Sequence, residues 1–266
     1  MQEGGIMLNY IKSELYRAFH SKEIHETAIV LTVLVFLMNL ILRLFSSMDH
    51  FRYGITSFSY SMLVAGPMIY CYGAGDVAVM LYEADNRNGT RGNSIACGIS
   101  RIEIFAGKCI VSLLTSLGIL LIVMPVYIVS AVLLLPKEGP VEIKDLLLEI
   151  PAVSLVAVAA LILAIVLLEV YDKVLVSILI WLGLLVFIPK ALLLAGMYLS
   201  DQSAILLNIA RWLPANFFSV EMQVNMSECI TIWSTPEGMA KCVISGVLGI
   251  LIFSIAGVLS LRKRDI

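Results

Sequence analysis

Six long apolar runs constrain this chain more than any other feature, covering residues 27–45, 57–82, 107–135, 150–170, 174–199 and 240–261. About 20 helical residues cross roughly 30 Å of hydrocarbon, so each run suffices for one crossing. Lipid offers no hydrogen-bond partner to an open strand edge, which predicts that all six are helices. An even number of crossings puts both termini on one side. Composition agrees: 60% of the 266 residues are hydrophobic and only 14% are charged, against about 25% charged for a soluble domain. Cytosolic enzymes and secreted disulfide scaffolds are excluded on this ground. A formal net charge of −2 gives no argument for a nucleic-acid partner.

The basic residues give a direction. Eleven of the eighteen Lys and Arg fall in segments on the side of the termini, five fall in the opposite loops, and Arg43 and Lys190 lie within runs. This bias predicts a multi-pass protein of the cell membrane with both termini cytoplasmic. The first run is expected to stay as an anchor. More than twenty polar-rich residues precede it, and its end, Arg43-Leu-Phe-Ser-Ser47, lacks a small-x-small cleavage pattern. Gln2-Glu3-Gly4-Gly5 is what a purine-rich ribosome-binding sequence would spell if translated, which predicts Met7 as the natural start.

Two segments outside the runs carry pattern. Leu8, Ile11, Leu15, Ala18 and Phe19 recur at helical spacing, with Lys12, Glu14, Arg17 and Lys22 on the other face. The pattern predicts an amphipathic helix on the inner membrane surface, within an N-terminal segment of residues 1–26 that precedes a transmembrane domain of residues 27–266. An ordinary packed cytosolic helix is the alternative. The longest cytoplasmic connection is 83–108. Asn88-Gly89 and Arg91-Gly92 mark turns there, Gly98 can stop a short helix, and Ser100 with Glu103 forms a capping box for the next. This predicts a short helix held between two spans, either a docking element or a solvated connector.

Only Tyr171-Asp172-Lys173 joins the fourth and fifth spans, so these form a tight antiparallel pair. Pro189 predicts a kink or break in the fifth. The outer loop 200–239 is too apolar to lie free in water and is expected to hold one or two short re-entrant or interfacial helices, with Trp212 and Trp233 at the membrane interface. The fold class expected is therefore all-α and polytopic, with six transmembrane helices.

Catalytic chemistry is not encoded in recognisable form. The only histidines, His20, His25 and His50, lie outside the runs, and no base is placed to activate a serine at membrane depth. No Walker A motif occurs: GxxxxGK would need glycine at Ile102, and Cys109 stands where Ser or Thr is required. The chain is not expected to be an enzyme or to hold a cofactor. The five cysteines, Cys71, Cys97, Cys109, Cys229 and Cys242, read as small hydrophobes, and only Cys229 and Cys242 could share the outer face for a disulfide. Charge near mid-membrane is almost absent. Asp76, in the inner third of the second span, is the one candidate gate residue, and a structural hydrogen-bond acceptor is the alternative.

Three features together resemble the permease subunit of type-2 ABC transporters. They are the opening Met7-Leu-Asn-Tyr-Ile-Lys-Ser-Glu-Leu-Tyr-Arg17, the connection containing Glu83, Gly89-Thr90, Gly98, Ser100-Arg101 and Lys108, and the ending Gly257 to Arg264-Asp265-Ile266. The resemblance covers essentially the whole chain. It implies a homodimer or close heterodimer of permeases with separate cytosolic ATPase subunits, two copies, that bind the ATP. It also implies that these dock on a coupling helix in 83–108, through Glu83, Gly89, Thr90, Ser100 and Arg101, and on the helix before the first span. Small six-span permeases of this kind resemble Gram-positive exporters of amphipathic peptides, so amphipathic peptides or other hydrophobic substrates are the expected cargo. A membrane scaffold or immunity protein that sequesters a peptide, and an ion-coupled carrier, are the rival readings.

Overall fold

The computed structural model describes residues 3–48, 50–88, 96–171, 173–198 and 204–262. Among them the chain is helical nearly throughout, and the architecture is that of an all-α polytopic membrane protein. Helix α1 (Glu3–Phe19) precedes α2 (Lys22–Phe45), α3 (Thr56–Val64), α4 (Met68–Asn88), α5 (Arg101–Leu134) and α6 (Ile143–Val170). After these come α7 (Val174–Leu182), a π turn (Gly183–Phe187), α8 (Ile188–Tyr198), α9 (Ala204–Arg211), α10 (Pro214–Val220) and α11 (Pro236–Arg262). A two-residue hairpin, β1 (Gln223–Val224) against β2 (Cys229–Ile230), is a small departure from the all-α expectation.

Among the described residues five helices are long and apolar enough to cross a membrane: α2, α5, α6, the run Val174–Tyr198 and α11. The sixth run is not one helix. Where a single span is expected over 57–82, α3 and α4 meet at a 61° bend. Gly66-Pro67 explains it, because proline lacks an N–H and disfavours helical geometry in the residue before it. The short α3 is held by buried polar groups. Asn39 on α2 donates to the Tyr127 carbonyl at 3.2 Å and to Ser130 Oγ at 2.7 Å on α5, and accepts from Ser59 Oγ at 2.6 Å on α3. The Tyr127 hydroxyl closes the set by donating to the Ser59 carbonyl.

The interruption expected at Pro189 takes the form of the π turn just before it. Widening the helix there makes room where the proline ring would meet the Leu185 carbonyl. The buried Asn216 amide then donates to the Pro189 carbonyl at 2.7 Å and to the Ala210 carbonyl at 2.8 Å, tying α10 back to the span.

Helix α6 is central: every residue from Ala159 to Glu169 is buried, as expected of a helix apolar on all sides. Its closest partner is α11, where a side chain at Gly246 would come within 2.5 Å of Leu155 Cβ. Small residues at such crossings let apolar helices approach without help from water. The peripheral spans keep Leu121, Leu133, Leu175 and Phe187 exposed, a surface suited to lipid. Between α8 and α11, Trp212 is 48% exposed whereas Trp233 is 3% exposed. Trp233 is packed inside the protein, with its indole N–H donating to the Asp145 carbonyl at 3.1 Å, and is not the interfacial residue expected of it. Cys229 and Cys242 are both free thiols.

Candidate functional site

Two features stand out, an ion-pair network at the end of the bundle where α1 lies and a cavity deeper among the spans. The network begins with helix register. Cys71, Ala74, Ala78, Tyr82 and Asp85 are all buried, and their spacing of three and four marks the packed stripe of α4. Asp85 therefore continues an apolar face, and its carboxylate must find partners inside the protein. Lys108, on the buried stripe of α5 with Ile104 and Val111, reaches Asp85 Oδ2 at 3.2 Å and Glu169 Oε1 of α6 at 3.0 Å. Its ammonium also lies 4.8 Å from the centre of the Tyr82 ring. Arg17 of α1 pairs with Asp85 Oδ1 and with Glu14. Asp85, Lys108 and Glu169 are 3%, 8% and 4% exposed.

Tight packing brings α1 this close. A side chain at Gly107 would stand 2.6 Å from Tyr10 Cε1, so the absence of one lets the Tyr10 ring lie on α5. Ala18 is buried with Ile24 and Val111, and Ile11 and Leu15 pack beside them. Leu8 and Phe19 remain exposed. The amphipathic face thus divides between bundle and surface. Burial raises the Glu14 carboxyl above its ordinary range; Asp85 adds to the rise, and Arg17 and Lys108 oppose it.

The cavity has a volume of about 600 Å³ and runs among α2, α4, α5, α6 and α7. Its wall is mostly aliphatic, with Tyr72, Asp76 and Trp181 at one side. Gly75 matters there, since a Cβ would stand 2.5 Å from the Trp181 ring. Trp181 is fixed by donating its indole N–H to the Ala160 carbonyl at 2.8 Å and meets Tyr72 edge-on at 6.2 Å. Asp76 is exposed toward the cavity and pairs with no cation among the described residues. Farther along, the fully buried Glu149 faces Tyr70, and neither its carboxyl nor the Tyr70 hydroxyl completes a hydrogen bond there. No three His, Cys, Asp or Glu side chains among the described residues converge as metal ligands.

The residues singled out from sequence fall as follows. Glu83 is exposed on α4, two residues and roughly 200° around the helix from Asp85. Ser100 caps α5 and Glu103 completes the box, with the Ser100 N–H to Glu103 Oε2 distance at 2.9 Å and the Glu103 N–H to Ser100 Oγ distance at 3.3 Å. Arg101 opens that helix, half-buried. Gly98 adopts a left-handed φ of 83°, as a glycine after a helix does. Gly89 and Thr90, and most of the short helix expected before Gly98, lie outside the described residues. Glu83 lies two residues before Asp85, and Ser100 and Arg101 begin the helix that carries Lys108. Asp85 escaped the sequence reading, although a carboxylate on the Cys71–Ala74–Ala78–Tyr82 stripe was a legible signal.

No protein-family model matches the chain, and no curated protein matches it. The fold and the site geometry therefore define the class: a multi-pass helical membrane protein with a buried charge network at one end and an apolar intramembrane cavity.

Proposed function

We propose that the chain is the permease half of a type-2 ABC exporter, moving amphipathic peptides or other hydrophobic substrates out of the cell. In this reading it lies in the cell membrane with both termini cytoplasmic and pairs with a second permease copy. Two cytosolic ATPase subunits supply the ATP-binding sites and dock on 83–108 and α1. The observation that carries the reading is the Arg17–Asp85–Lys108–Glu169 network, which ties α1 to the ends of α4, α5 and α6. Three spans so joined move as a body when the connection between α4 and α5 is pushed, and all three wall the cavity. An apolar cavity in turn suits greasy or amphiphilic cargo and suits sugars poorly.

Affinity purification of the chain from its own cells tests the reading, with a stoichiometric ABC ATPase as the expected companion. Replacing Glu83 or Arg101 should lower substrate-stimulated ATP hydrolysis while membrane insertion is kept. Retained peptide binding with no ATPase would favour a scaffold or immunity protein instead. Asp76, on the cavity wall with no cation paired to it among the described residues, is the observation favouring an ion-coupled carrier. That reading predicts transport driven by a proton gradient alone and abolished by Asp76→Asn.

A further inference from the structure

We propose that the cavity binds lipophilic organic cations, with the positive group held between Asp76 and the rings of Tyr72 and Trp181. The inference deepens the transport reading by naming the cargo's charge, and it rests on that reading only for the claim that the bound cation is cargo. Three observations converge. Asp76 lies one helical turn after Tyr72, so both occupy one face of α4, and both line the cavity. Trp181 lines the same space, edge-on to Tyr72, and Gly75 lets its ring lie directly against α4 beside Asp76. A carboxylate flanked by aromatic rings is the arrangement that recognises ammonium-type groups, through charge and ring quadrupole together.

Position strengthens the case. Asp76 lies within the apolar run 57–82, nine residues or about 14 Å along the helix from Asp85 in the terminal network. An ionisable side chain within a span is costly unless a partner meets it. Among the described residues the other charged groups of the α1-end core are paired, Lys108 with Asp85 and Glu169 and Arg17 with Asp85 across helices, and Arg17 with Glu14 within α1. Asp76 has no such protein partner among the described residues and opens instead onto apolar space. A small metal ion would find one carboxylate and almost no other oxygen there. A cation with an apolar body would satisfy both the carboxylate and the aliphatic wall from α5 and α6.

Equilibrium dialysis of the purified full chain in nonionic maltoside micelles tests this, using tritiated tetraphenylphosphonium against its near-isosteric anion, tetraphenylborate, with empty micelles subtracted. The expected result is saturable binding of the phosphonium, weakened at least tenfold by Asp76→Asn and retained by Asp76→Glu, with weak borate binding that Asp76→Glu leaves unchanged and Asp76→Asn does not weaken. Equal binding of both probes, or unchanged phosphonium affinity in Asp76→Asn, overturns the proposal. Should Asp76→Asn fail to elute as a monodisperse species, Tyr72→Leu decides: a several-fold weaker phosphonium affinity supports the site, and an unchanged one refutes it. The assay needs no ATPase. A missing ATPase at purification would thus remove the exporter reading while leaving the binding result intact, and a copurifying ATPase without Asp76-dependent binding would do the reverse.

Discussion

Lys108 and Asp85 face each other across 3.2 Å between α5 and α4, while Arg17 of α1 holds the other oxygen of the same carboxylate. One aspartate is thereby shared by two cations from two different helices. Removing either cation leaves charge buried without its full complement, and the larger loss is at Lys108, which also serves Glu169. Breaking a buried pair from one side costs about 3–5 kcal/mol. Lys108→Met should therefore lower the unfolding temperature in detergent markedly, whereas the triple change Lys108→Met, Asp85→Leu, Glu169→Leu should recover much of the loss. A single variant as stable as the unaltered protein would show that the network contributes no stability.

Gly107 and Tyr10 make a steric pair of the same kind. A methyl group at Gly107 must displace the Tyr10 ring, and overpacking of this sort costs about 1–3 kcal/mol. Gly107→Ala should loosen α1 from α5 and hasten protease cleavage near the His20-Ser21 junction. Combining it with Tyr10→Ala should remove the clash. If cleavage rates of the double variant exceed those of Gly107→Ala, then the ring contributes more by packing than the clash costs.

Asn39 joins three helices through its one amide. Asn39→Leu takes the acceptor from the Ser59 hydroxyl and leaves Ser130 with its bond to the Tyr127 carbonyl, and interhelical hydrogen bonds in membranes average about 0.6 kcal/mol each, with a maximum near 1.7. The expected loss is about 1–2 kcal/mol, read as a shift in denaturant midpoint. Asn39→Asp provides a control that keeps the acceptor for Ser59. Equal stability of Asn39→Leu and the unaltered chain would mean that α3 is held by packing alone.

How far these relationships were legible varies with their range along the chain. The capping box at Ser100 is a three-residue pattern, and both of its hydrogen bonds are found. The bend at Gly66-Pro67 was equally local, yet a run of apolar residues conceals it, because hydropathy records composition and not backbone geometry. Asp85 and Arg17 are 68 residues apart, and nothing in either neighbourhood names the other. Glu83 drew attention instead because it opens the loop, while Asp85 sat on a stripe whose periodicity was readable and whose partners were not. Trp233 shows the opposite error: an amphipathic ring in a long outer loop suggests an interface, but the Asp145 carbonyl was available to it inside the protein.

By itself the sequence determined that this chain lies in an apolar medium, which segments are helical and where most of them end. These outcomes follow from backbone hydrogen bonding and hydrophobic length, which each segment satisfies alone. Only the tertiary structure decided that Asp85 is shared between Lys108 and Arg17, and that Asp76 is left facing a cavity. Those depend on which helix faces meet, and the meeting is set by small residues such as Gly107 and Gly75 whose effect appears only when a partner helix comes within contact.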